Sequence, residues 1–195
     1  MNNQEALNTL KDIREMMEKS TRFLSLSGWS SVIIGIYSCI AAMIAHYVLA
    51  QTGIDKTGIL FLFAITLIAL SLLTTILMCR HKAQRQHRQL QLDLPTRRLL
   101  WNFFLPLLVG GILCLSLIWQ QHYGLTSSLM LIFYGIALIS ASHYTYSNTR
   151  YLGYAEIILG LIDSFMVNHA LLFWMIGFGI FHIIYGIFFC LKYEK

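Results

Sequence analysis

Charge is scarce in this sequence. Only 12% of its 195 residues are Asp, Glu, Lys or Arg, while 57% are hydrophobic; an ordinary soluble domain carries about a quarter of its residues charged. That shortage argues against a water-soluble globular domain and for an integral membrane protein. Paired cysteines are lacking too. Cys39, Cys79, Cys114 and Cys190 are scattered within or at the ends of apolar runs with no CxxC among them, which argues against a disulfide framework or a zinc finger. No HExxH occurs, so a zinc hydrolase has no ligand pair to start from. No GxSxG elbow occurs either, so Ser142, His143 and Asp163 do not read as a hydrolase triad. The first 22 residues contain no early apolar core; no cleavable signal peptide is expected, and the first apolar run would act as its own insertion signal. With these motifs missing, the expectation is a protein that is not an enzyme and that carries no metal and no cofactor.

What the sequence has is long apolar runs. Six stretches, about 28–50, 57–79, 99–119, 127–147, 151–167 and 170–191, approach the roughly 20 residues that cross the hydrocarbon core as a helix. The fifth is the shortest. The expected fold is therefore all-α: a polytopic membrane protein of six transmembrane helices arranged as three hairpins, preceded by an amphipathic N-terminal helix. The basic residues support the count. Lys11, Arg14, Lys19 and Arg22 precede the first span. Arg80, Lys82, Arg85, Arg88, Arg97 and Arg98 lie between the second and third, Arg150 between the fourth and fifth, and Lys192 and Lys195 after the sixth. With six spans, every one of the 14 Lys and Arg residues except Lys56 falls on one side. By the positive-inside rule that side is the cytoplasm and both termini are in it. Without the fifth span, Lys192 and Lys195 would lie outside.

Two segments stand apart from the spans. In residues 1–26, Leu7, Leu10, Ile13 and Met17 follow one face of a helix with charges of both signs around them, a pattern suited to the membrane interface or to a protein partner. The loop 80–98 is basic and can meet anionic lipid or a cytoplasmic partner. Membrane lipid, and a second copy or another protein docking through these two segments, are the expected partners; nothing specific points to nucleic acid. A faint repeat, Gly35-Ile36 followed by His46 and Gly111-Ile112 by His122 at the same distance, with Gly160 followed by His169 nine residues on, fits three related hairpins.

Small residues mark packing seams, since they let helices approach closely in lipid. Gly28, Ser31, Gly35, Ser38 and Ala42 share one face of the first span, Gly179 and Gly186 one face of the sixth. The fifth follows the same template with a difference: Gly153, Glu156, Gly160 and Asp163 share a face, so two acids sit where another helix must touch. A central Asp costs roughly 2.5–3.5 kcal/mol on an insertion scale and each Leu, Ile, Phe or Val returns roughly 0.3–0.6. The helix is marginal alone and its acids need partners. Depth along the spans suggests an inner polar layer of His143, Tyr146, Arg150, Glu156 and Tyr185, and a mid-to-outer layer of Asp163, His182 and His46.

An ionisable residue inside the membrane is a functional-site hypothesis by default. The leading expectation is therefore binding or sensing of a small ligand or ion, or small-scale transport, through this polar intramembrane site. The alternative is a non-enzymatic structural or regulatory membrane partner in which the buried acids only fasten helices by hydrogen bonds. The stretches "IREMMEKSTRFLSLSGWSSVIIGIY" and "WMIGFGIFHIIYGIFFCLKYEK" resemble a group of small integral membrane proteins of Bacteroidetes-type bacteria that have no assigned activity. The resemblance implies the bacterial cytoplasmic (inner) membrane and brings no catalytic residues. The Gly-Ile periodicity is loosely similar to that of HdeD-type acid-resistance membrane proteins.

Overall fold

A computed structural model describes residues 27–52, 56–85, 94–145 and 148–193. All regular structure among these residues is helical. α1 is Gly28–Ala50, α2 Lys56–Arg85, α3 Leu94–Trp119, α4 Thr126–Ala141 and α5 Thr149–Phe165. The last helix opens as α6, Ala170–Trp174, widens into a π-helical segment, Met175–Phe181, and closes as α7, His182–Tyr193. Helices are the expected answer for such apolar runs, because in lipid every backbone N–H and C=O must find its partner within the segment. Among the described residues, five helical stretches are long and apolar enough to cross a membrane. α5, at 17 residues, stands at the short end of the spanning range. The protein is thus an all-helical bundle with five to six membrane-crossing candidates, consistent with a multi-pass membrane protein. The amphipathic segment 1–26 lies outside the described residues. So does 86–93; α2 continues to Arg85 and α3 begins at Leu94, so most basic residues of the stretch 80–98 stand on helix ends.

Two antiparallel pairs form the heart of the bundle, α1 with the last helix and α4 with α5. α2 packs on α1, and α3 on α4. Each central pair is built on glycine contacts one heptad apart. A β-carbon on Gly28 would stand 2.9 Å from the Gly186 carbonyl oxygen, and one on Gly35 2.7 Å from that of Gly179. In the other pair, a β-carbon on Gly135 would stand 2.5 Å from the Gly153 carbonyl oxygen and one on Gly160 2.9 Å from that of Ser128. In both pairs the seven-residue spacing keeps the small residues on the seam, as in a left-handed crossing. Ser31 adds a polar stitch, its hydroxyl donating to the His182 carbonyl at 3.0 Å.

These pairings give the bundle two ends of different charge. The start of α1, the end of α2, the start of α3, the start of α5 and the end of α7 lie at one end, with Lys82 over the Phe189 ring at 5.3 Å and Arg150 over Tyr151 at 5.0 Å. Lys56 lies at the other end, where its ammonium donates to the Leu49 carbonyl at 2.7 Å and so satisfies an orphan oxygen at the end of α1. Exposed aromatics stand toward both ends: Trp29, Trp101 and Tyr151 on the basic side, Tyr47, Trp119 and Tyr123 on the other. Two such belts are the pattern of a bundle whose ends meet two lipid headgroup layers.

The α3–α4 hairpin turns through Gln121, whose φ of 65° is left-handed. His122 N–H donates to Leu117 O at 2.9 Å and Gln121 N–H to Ile118 O at 3.1 Å, the paired bonds of a Schellman ending. The same hairpin offers a packing test on adjacent glycines. A β-carbon on Gly110 would stand 2.5 Å from Phe133 Cβ, whereas one on Gly111 would meet nothing within 4 Å. Gly110→Ala is expected to cost about 1–3 kcal/mol by overpacking. Gly111→Ala is expected to be neutral or to stabilise by up to about 1 kcal/mol, through helix propensity. Thermal unfolding of the two variants in detergent checks this; equal melting would remove the contact.

Candidate functional site

The inward face of α5 is a heptad line of polar groups. Thr149, Glu156 and Asp163 are 5%, 0% and 0% exposed. Seven residues is close to two turns, so the three side chains stay on one face and span about 21 Å of helix axis. The opposite face carries Ile158, Leu161, Ile162 and Phe165, all exposed to the surroundings of the bundle. Leu152, Gly153 and Gly160 complete the buried face. Without the two glycines, α4 could not come close enough to cover the acids.

Each polar group of the line meets a different neighbour. Thr149 Oγ1 shares a hydrogen bond with the Tyr185 hydroxyl at 2.9 Å. Asp163 Oδ2 accepts from Ser128 Oγ of α4 at 3.0 Å. Beside it, Ser127 donates to the Ala170 carbonyl at 2.8 Å and ties α4 to the last helix. Glu156 has the least polar setting. A β-carbon on Gly177, in the π segment, would stand 2.5 Å from Glu156 Oε2 and 3.3 Å from Leu159 Cδ2, and would also collide with Leu131. The carboxyl group therefore fills the space that a side chain at position 177 would take, between two leucines.

His182 lies beside Glu156, with Nδ1 at 3.6 Å from Oε1. It is 4% exposed. Nδ1 also lies 3.0 Å from the Gly177 carbonyl oxygen, which can only accept, so Nδ1 carries the proton in this arrangement. Nε2 is then the acceptor for the Tyr134 hydroxyl at 2.7 Å. Tyr134 stacks on the imidazole at a centroid distance of 5.3 Å and is flanked by Phe178 at 5.1 Å and Phe103 at 6.2 Å. Both ring nitrogens of His182 are thus satisfied without Glu156. Glu156 Oε1 and Oε2, and Asp163 Oδ1, have no hydrogen-bond partner among the described residues.

The structure regroups the residues that depth along the spans had sorted into two layers. Glu156 and His182 come together across the α5–last-helix interface, although depth alone separates them. Asp163 instead meets Ser128. Tyr185 pairs with Thr149. His46, His143 and Arg150 are exposed and lie outside this buried cluster, and Tyr146 lies outside the described residues. Sequence reasoning missed three contributors: Tyr134, Thr149 and Gly177. Thr149 was within reach, one heptad before Glu156. Tyr134 carries no such signal, because it enters through the rotation of α4. Gly177 was hidden by the regular α-helical spacing assumed for the sixth span, which the π segment breaks. Among the described residues no group of three His, Cys, Asp or Glu side chains is arranged to hold a metal ion.

Compared with family models, curated proteins and solved structures, the chain matches none.

Proposed function

We propose that this is a six-span protein of the bacterial inner membrane, arranged as three hairpins with both termini in the cytoplasm, that binds a small ion or ligand at Glu156. Occupancy of the site is sensed or carried across the membrane. The observation that carries this reading is the pair of buried Glu156 oxygens with no hydrogen-bond partner among the described residues. A carboxylate kept as helix glue would be hydrogen-bonded, since an unsatisfied buried polar group costs about 1–3 kcal/mol or more. An expensive, unsatisfied acid facing the interior of a bundle is the mark of a binding group. The charge asymmetry of the two ends supports the orientation, with the basic end in the cytoplasm. Lipid is the constant partner, and residues 1–26 with the basic stretch 80–98 are the surfaces for any second copy or protein partner. No catalytic role is assigned.

Asp163 favours the second reading. Its bond from Ser128 makes it the better candidate for interhelical fastening.

The two readings separate in thermal melts of the purified protein over a panel of pH values and of Li+, Na+, K+ and NH4+ salts. An ion that binds only the folded state stabilises it by about 2.7 kcal/mol at a hundred times its Kd. Wild type is expected to gain stability under one of these conditions. Glu156→Gln is expected to lose that gain, whereas Asp163→Asn keeps it while melting lower throughout. If Glu156→Gln follows wild type under every condition, the binding reading falls and the fastening reading replaces it.

A further inference from the structure

We infer that the ligand of this site is the proton, bound by the Glu156 carboxyl and delivered through His182 and Tyr134. The inference rests on the ion-binding reading of Glu156 and names its ion.

The surroundings of Glu156 decide between a proton and a metal cation. A hard cation collects about six or more oxygen ligands at 2.0–2.6 Å. Around this carboxyl stand Leu131, Leu159 and the α-carbon of Gly177, packed so closely that a methyl group at 177 would collide with Oε2. The backbone oxygen of Gly177 already receives His182 Nδ1 at 3.0 Å. Among the described residues these contacts supply only the two oxygens of Glu156 itself, and no group of three His, Cys, Asp or Glu side chains stands ready to complete the shell of a metal ion. A proton needs no shell. It converts a costly buried anion into a neutral acid, the ordinary fate of a carboxyl in apolar surroundings.

A route for the proton is laid out in the same contacts. The imidazole of His182 stands between the Tyr134 hydroxyl, 2.7 Å from Nε2, and Glu156 Oε1, 3.6 Å from Nδ1. In the uptake step the imidazole turns its Nδ1–H away from the Gly177 carbonyl and closes the 3.6 Å gap to Oε1; the Nδ1–H bond then breaks and an O–H bond forms on Glu156. The Tyr134 O–H proton moves to Nε2, and a hydronium ion from the aqueous phase restores the Tyr134 hydroxyl, leaving water. The net change is one carboxylate and one hydronium becoming one carboxylic acid and one water, with His182 neutral throughout in its other tautomer. Nδ1, now bare, no longer bonds the Gly177 carbonyl and accepts from the new carboxylic O–H instead. Uptake thereby removes the side-chain bond to the Gly177 carbonyl in the π segment.

Other titratable groups border the site. From the last helix come His182 and Tyr185, and from α4 Tyr134, whose hydroxyl meets His182 Nε2 at 2.7 Å. From α1 comes Cys39, whose sulfur lies against Gly179. On α5 itself are Asp163, about 10 Å further along the axis, and Arg150, at the exposed end. Among these, Asp163 is the second carboxyl that a measurement must separate from Glu156.

Infrared difference spectroscopy on the full chain in lipid nanodiscs does so. Wild type is expected to show a protonated-carboxyl C=O band that fades as pH rises and shifts in heavy water. The band should be missing in Glu156→Gln, present in Asp163→Asn, and unchanged when choline replaces Na+ at fixed pH. In a pH jump, Tyr134→Phe is expected to show the same band with uptake slowed on the order of 10²-fold, the usual scale for losing a positioned proton donor. Loss of the band on adding Na+ at constant pH overturns the proton assignment while leaving an ion site at Glu156. Absence of any Glu156 band at every pH, together with Glu156→Gln melting like wild type, overturns both readings. Unchanged uptake kinetics in Tyr134→Phe overturns the route.

Discussion

Gly153→Leu is expected to open the bundle between α4 and α5. Gly153 and Gly135 face each other with backbone on both sides: a β-carbon on Gly153 would lie 2.7 Å from the Gly135 carbonyl oxygen and 2.8 Å from Ile139 Cγ1. A carbonyl oxygen inside a helix cannot rotate away as a side-chain tip can, so the helices themselves must separate. Overpacking a close contact costs about 1–3 kcal/mol. A whole leucine side chain at the crossing point also forfeits dispersion contacts along the seam, which in lipid are the main force between helices. The expected loss is at the top of that range or beyond, about 3 kcal/mol or more. Glu156 lies three residues further along the same face, so ligand-dependent stabilisation should vanish with it. Thermal unfolding and size-exclusion profiles in detergent check this, with Gly111→Ala as a control in open surroundings. Wild-type melting of Gly153→Leu would mean that α4 and α5 do not meet at this seam.

Replacing Glu156 by methionine is expected to act in the opposite direction, making the protein more stable and inactive as a binder. The two carboxyl oxygens lie between Leu131, Leu159 and Gly177 without a hydrogen-bond partner among the described residues. Removing an unsatisfied buried polar group recovers about 1–3 kcal/mol, and methionine is flexible enough to fill the same irregular space. His182 does not suffer, because the Gly177 carbonyl and the Tyr134 hydroxyl occupy both of its ring nitrogens. A gain in stability paired with loss of every ion or pH response is the trade expected of a group retained for function. A loss of stability in Glu156→Met would instead make Glu156 a fastening residue.

Much of this was legible in one dimension. The scarcity of charge and the length of the apolar runs specify a bundle of helices long and apolar enough to cross a membrane, because only closed hydrogen bonding survives in lipid. The helical period specifies that Gly153, Glu156, Gly160 and Asp163 share a face, and the structure buries all four. The seams at Gly28, Gly35, Gly179 and Gly186 were equally visible, since a face of small residues has few uses in lipid other than close approach.

The partners of the acids were not legible. Depth along a span comes from counting residues, but rotation about the helix axis is settled by packing against neighbours. His143 matched Glu156 in depth yet faces outward, while His182, assigned to another layer, turns its Nδ1 toward Glu156. Across the π segment Met175–Phe181, Gly177 and His182, five residues apart, meet the same Glu156 carboxyl, a relation that a regular α-helical period does not give. The sequence by itself therefore determined the kind of molecule, the seams and the inward face of α5, all properties of single helices in an apolar solvent. Only the tertiary structure decided that Glu156 sits against His182 between two leucines and that Asp163 is held by Ser128, because those relations depend on how separate helices turn and press against one another.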